Sequence, residues 1–175
     1  MRSEGSGAED SGVLGYGLSC DSYHMTAPDP GASGAVRAMQ AALQDSGVSP
    51  EQIDYINAHG TATPANDLME TRGIKVVFGK RAYDIPVSST KSMIGHTLGA
   101  SGALEAVASI VGIVDRFVPP TIHLSVPDPE CDLDYVADGA RRADIRVVLS
   151  NSFAFGGNNT AIVMGRYTPK GIAHE

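Results

Sequence analysis

The stretch Ser88 to Glu105, SSTKSMIGHTLGASGALE, decides how the rest of the chain is read. A short apolar run, Ile85 to Ser89, reads as a strand and leads into Lys91, then Gly95 and His96. Small apolar residues follow from Thr97 to Val114 and predict a helix. Backbone N–H groups at the start of such a helix favour negative charge and disfavour an imidazolium. A neutral imidazole there can donate one hydrogen bond to a developing oxyanion. Helix capping by a polar cluster is the other reading of the same residues. Glu105 interrupts the apolar run, and a buried carboxylate needs a partner. Lys91 is the nearest candidate, and a salt bridge fits a functional or a structural role equally. The 18 residues from Thr97 to Val114 approach bilayer-spanning length. Glu105 at the centre, Gly99, Gly102 and Gly112, and the lack of aromatic anchors point instead to a buried helix in a layered protein.

Upstream, Val13 to Ser19 alternates as a strand, and Thr26 to Ser33 is a loop rich in Pro, Gly and Ser. Gly34 to Asp45 carries Val36, Met39, Ala42 and Leu43 at helical spacing, with Gly47 as the stop. Ser49-Pro50-Glu51-Gln52 has the form of a capping box before a buried strand, Ile53 to Ala58. That strand ends in His59-Gly60-Thr61-Ala62-Thr63-Pro64. A histidine held at a strand end suits proton transfer or hydrogen bonding to a reacting group, and it equally suits a structural bond to a nearby carbonyl. A helix capped by Asn66 or Asp67 is expected to run to Phe78 and close at Gly79.

Downstream, Pro119, Pro120, Pro127 and Pro129 mark an extended surface connection. Arg146 to Ser150 and Thr160 to Met164 read as closing strands. Between them lies Asn151-Ser152-Phe153-Ala154-Phe155-Gly156-Gly157-Asn158-Asn159, whose paired glycines permit a sharp turn and close approach to a ligand. No lysine follows at the spacing a phosphate-binding loop demands, and a hairpin turn with two aromatics is the plainer reading. Alternating strands and helices give an α/β class.

Composition supports one folded domain. The 175 residues are 42% hydrophobic and 19% charged, with no repeat. Thirteen basic against twenty acidic residues give a net charge of −7, which argues against nucleic acid as a partner. Cys20 and Cys131 form neither a disulfide framework nor a metal-ligand pair, so a reducing, cytoplasmic compartment is expected. Residues 1–12, without an apolar signal segment, are expected to be a flexible lead-in, 13–167 the domain and 168–175 a tail.

The three loops, in this order, resemble the type II β-ketoacyl–acyl-carrier-protein synthases, which belong to the thiolase-like condensing enzymes. HGTAT at 59–63, SSTKSMIGHTLGASGALE at 88–105 and NSFAFGGNN at 151–159 carry the resemblance, with SCDSYHMTAP at 19–28 and PDPECDLDY at 127–135 in support. It runs from Val13 to Tyr167 and covers only the family's C-terminal half. The fold it implies is a thiolase-like layered α/β half, one mixed sheet with helices on both faces. The activity it implies is a decarboxylating Claisen condensation by a Cys-His-His set, with an acyl group held as a thioester on the cysteine. His59 and His96 match the histidines that bond the malonyl thioester oxygen, Lys91 the family's lysine and Glu105 its helix partner. Thr61 and Thr63 match hydroxyls that contact the pantetheine arm. Phe155 matches the gating phenylalanine, whose backbone N–H contributes to the oxyanion hole.

No metal or other cofactor is implied, because the substrate rides on the phosphopantetheine arm of acyl carrier protein. The implied partners are that carrier protein and a complementary N-terminal half bearing the nucleophilic cysteine, in a dimeric whole, with no membrane. Cys20 and Cys131 match no catalytic position. Ala154 stands where the family usually has glycine and is expected to stiffen the gate; Asn158 also departs from the usual threonine or histidine. Without the other half, the face of Thr97 to Val114 is expected to meet water, leaving the isolated chain poorly stable, prone to aggregate or ready to bind that half. A non-catalytic chain-length-type subunit, a polyketide ketosynthase fragment and an inactive truncated product are the alternatives.

Overall fold

The computed structural model describes residues 10–167. Five strands form one mixed sheet in the order β1 (Asp10–Cys20), β7 (Asn158–Tyr167), β6 (Val147–Ala154), β2 (Tyr55–Asn57) and β3 (Val87–Ser88). β1, β7 and β6 are antiparallel neighbours, and β6, β2 and β3 run parallel. A separate two-stranded ribbon pairs β4 (Phe117–Val118) with β5 (Arg141–Arg142).

Side-chain alternation along the strands sorts the core into two layers. Ile56, Leu149, Phe153 and Val163 face α1 (Ser33–Ser46) and α2 (Pro64–Phe78). Tyr55, Val148 and Met164 face the other way, toward Ile110 and Ile113 of α4 (Ser101–Asp115). Helices therefore cover both faces of one mixed sheet, as expected. α1 forms because Ala35, Ala38, Met39, Ala42 and Leu43 make one buried stripe. It stops at Gly47, which takes a left-handed φ of 66° and donates its N–H to the Gln44 carbonyl. α2 begins at Pro64, earlier than Asn66, because proline suits the first helical turn, where its missing N–H costs nothing. The capping box closes Pro50–Gln52 as a short 3-10 turn.

β1 starts at Asp10, so its first residues fall in the expected lead-in; residues 1–9 and the expected tail, 168–175, lie outside the described residues. β6 runs through Ala154, longer than expected, and the turn Phe155–Gly157 returns the chain through positive φ at Gly156 and Gly157. Ala154 itself has φ −140° and ψ 162°, ordinary extended backbone, so the expected stiffening by alanine has no basis in this conformation.

The largest difference lies between 91 and 101. A short α3 (Lys91–Ile94) that was not expected comes first, and the single helix expected from Thr97 is instead a 3-10 turn (Leu98–Ala100) followed by α4 from Ser101. His96 thus sits in the connection and not in the first turn of the apolar helix. Leu98–Asp115 is the one segment among the described residues long and apolar enough to cross a membrane. It lies on the sheet with Glu105, Ser109 and Ile113 buried, while Leu104, Val107, Val111 and Val114 are exposed at helical spacing.

Candidate active site

Two strand ends deliver the site. β2 ends at Asn57, and Ala58 continues the parallel pairing by donating its N–H to the Ser88 carbonyl, which sets His59 next to the loop that carries Lys91. The two loops are pinned at Gly60. Ser89 Oγ donates to the Gly60 carbonyl at 2.7 Å, and a Cβ at Gly60 would lie 2.5 Å from Ser89 Cβ. Gly60 also has φ 41°, so only glycine satisfies both the turn and the approach.

Glu70 of α2 fixes the backbone of the histidine loop. Its two oxygens accept the N–H groups of His59 and Gly60, each at 2.9 Å, with Asn151 Nδ2 at 3.1 Å and Asn66 Nδ2 at 3.4 Å as further donors. Burial pushes the Glu70 carboxyl up, and the donated hydrogen bonds oppose that rise. On the opposite face, Asn57 ties the end of β2 to α4 and to Thr90. Its Nδ2 donates to the Glu105 carbonyl and to Ser109 Oγ on α4, and its Oδ1 accepts from Thr90 Oγ1. Neither residue stood out in the sequence. A polar side chain closing an apolar strand (Asn57) and a carboxylate on the buried stripe of a helix beside Met69 and Ile74 (Glu70) are the signals that mark them.

The two imidazoles meet. His59 and His96 lie edge to face with ring centroids 5.6 Å apart and planes at 88°. His59 is buried and packs on the Phe153 ring, whereas His96 is exposed. Lys91 and Glu105, both buried, form an ion pair, and Ser152 Oγ donates to the second Glu105 oxygen at 3.2 Å. Burial pushes the Glu105 carboxyl up against the pull of Lys91. Burial, then the positive charge of Lys91, then His96, hold His59 down to about 3, so its ring is neutral at pH 7. His59 Nδ1 is buried with no hydrogen-bond partner among the described residues. On His96, Nδ1 accepts the Leu98 N–H at 3.2 Å, which puts the ring proton on Nε2.

A cavity of about 590 Å³ opens beside these groups, with Thr61, Lys91 and His96 in its wall. Thr61 and Thr63 hydroxyls are 3.0 Å apart. Phe155 stands apart on the turn after β6 and is 77% exposed, and Phe153 is the ring that touches His59. Cys20 is exposed at the end of β1, and burial pushes the Cys131 thiol up. Neither has the setting of an activated nucleophile. Among the described residues no three His, Cys, Asp or Glu side chains converge as a metal site.

The fold places the chain with thiolase-like ketosynthases. It superposes on the ishigamide ketosynthase/chain length factor with a TM-score of 0.85 at 47% identity, covering 89% of this chain and 38% of that one. A β-ketoacyl synthase from Burkholderia phymatum gives 0.84 at 43% identity, covering 90% and 38%. The chain belongs to the β-ketoacyl synthases: the family profile described as "Beta-ketoacyl synthase, C-terminal domain" matches residues 11–125. It is 57% identical over 155 residues to the 3-oxoacyl-[acyl-carrier-protein] synthase 2 of Synechocystis, covering 89% of this chain and 37% of that protein. The protein of the same name from Coxiella burnetii is 55% identical over 154 residues, covering 88% and again 37%. The chain thus spans little more than a third of the length of the curated relatives it matches.

Proposed function

We propose that this chain is the C-terminal part of a 3-oxoacyl-acyl-carrier-protein synthase that elongates fatty acyl chains in the cytoplasm, and that it works with a complementary N-terminal part. That part supplies the cysteine that carries the acyl thioester. Malonyl on acyl carrier protein binds with its pantetheine arm along Thr61 and Thr63. Its carboxylate leaves as carbon dioxide, and the electron pair of the broken C–C bond becomes an enolate. His59 and His96 donate hydrogen bonds to the oxygen where that charge develops. The enolate carbon attacks the acyl carbonyl, the backbone N–H of Phe155 helps hold the second oxyanion, and the cysteine thiolate departs. Lys91, tied to Glu105, keeps a positive charge behind the histidines, and the step needs no cofactor.

The observation that carries this reading is the edge-to-face contact of two imidazoles at 5.6 Å, one of them held neutral by burial and Lys91. Donors fixed in advance where charge develops stabilise the transition state without reorganisation. A chain-length-type subunit would share the fold, but a subunit without chemistry has no need of both histidines and Lys91; a polyketide ketosynthase fragment would share the fold and these residues alike. The test is co-expression with a matching N-terminal part, followed by a condensation assay on malonyl- and acyl-carrier protein. The pair forms 3-oxoacyl product and this chain alone does not; an assembled pair with no product rejects the reading.

A further inference from the structure

We infer that Ser101 is a positioning residue for His96, its hydroxyl reinforcing, beside the Leu98 N–H, the imidazole tautomer whose Nε2–H is free to donate. This role rests on the oxyanion reading of His96 and deepens it. Ser101 is the first residue of α4 and is buried. Its Oγ lies 3.0 Å from His96 Nδ1, 3.1 Å from the Thr97 nitrogen and 3.2 Å from Thr97 Oγ1.

The proton positions follow from which groups can only donate. The Leu98 N–H reaches Nδ1, so Nδ1 carries no proton. The Thr97 N–H reaches Ser101 Oγ, so that oxygen accepts there. Turned to the ring, the Ser101 O–H shares the single Nδ1 lone pair with the Leu98 N–H, and the Thr97 hydroxyl then donates to the remaining lone pair of Ser101. One donor and two acceptor positions are all used. Two bonds donated into the oxygen polarise its O–H and strengthen the bond it makes to the ring. A neutral imidazole that accepts at Nδ1 keeps its proton on Nε2. Ser101 touches no substrate and acts through His96.

The test uses this chain labelled with 15N-histidine and assembled with its matching N-terminal part. Long-range 1H–15N spectra report which ring nitrogen carries the proton, and His96→Gln assigns the signal. Ser101→Ala raises the Nδ1–H share of the neutral His96 ring about fivefold, the worth of one net hydrogen bond. Ser101→Cys keeps the volume with only a weak donor and shifts the ring the same way, which covers an alanine variant that does not fold. Ser101→Thr keeps the hydroxyl and restores the wild-type ratio. In parallel, kcat for malonyl decarboxylation falls by a similar factor with KM unchanged. A folded alanine or cysteine variant with the wild-type tautomer ratio overturns the role. If His96→Ala leaves decarboxylation intact while the Ser101 variants still shift the ring, the oxyanion reading fails and the positioning role stands.

Discussion

Replacing Val107 and Val111 together by glutamate tests whether the outer face of α4 is an interface. Leu104, Val107, Val111 and Val114 are 40%, 59%, 42% and 50% exposed, so each keeps about half its apolar surface in water. Fully burying such a side chain stabilises by roughly 1.5–3 kcal/mol, and covering the remaining half gives about 1 kcal/mol each. The four together supply about 4 kcal/mol of association, on the order of a thousandfold in Kd. Two glutamates remove about half of that and add the cost of burying two unpaired carboxylates, several kcal/mol more. Ile110 and Ile113, on the inner stripe, are untouched, so the chain's own packing persists. Binding of the double variant to the N-terminal part, measured by calorimetry, weakens at least a thousandfold. Light scattering shows the wild-type chain aggregating alone and the variant less so. Affinity within twofold of wild type would refute the assignment of this face.

Lys91→Met leaves Glu105 buried beside Ser152 alone and destabilises the assembled protein by about 3 kcal/mol in urea unfolding. Lys91→Met with Glu105→Leu recovers most of that stability but not the condensation activity; equal recovery of both would make the ion pair purely structural. His59 binds no proton in the folded chain above about pH 3, while an unfolded histidine does below its ordinary value of 6.5. The unfolded state therefore takes up more protons between these limits, and stability falls as pH drops from 6.5 toward 3. Unfolding midpoints at pH 7 and pH 4.5 compared with those of His59→Gln check the sign: the variant loses less stability on acidification. Gly60→Ala, which meets Ser89 and a positive φ, lowers both stability and activity, while Ala154→Gly leaves both nearly unchanged because Ala154 is unstrained.

Elements whose signal is local were legible in the sequence. α1 announces itself by apolar spacing and a glycine stop, and the strand before His59 by its apolar run. The histidine loops were legible because chemistry-bearing residues cluster where periodicity ends. Interactions made across the chain were not. Glu70 bonds the backbone of residues ten and eleven positions away, and Asn57 reaches Ser109, 52 positions on. The ribbon of β4 with β5 rests on pairing Phe117 with Arg142, which no pattern of two-residue strands predicts. The break before Ser101 was hidden because Leu98, Gly99 and Ala100 fit the apolar pattern of the helix. Leu98 instead takes φ 53°, which turns its N–H onto His96.

Release of carbon dioxide from malonyl-carrier protein by the assembled protein tests the central claim most directly, since it reads enolate formation apart from acyl transfer. His59→Ala and His96→Ala are each expected to slow it by about a hundredfold to a thousandfold, the worth of one preorganised oxyanion donor. Wild-type release from either variant would contradict the account.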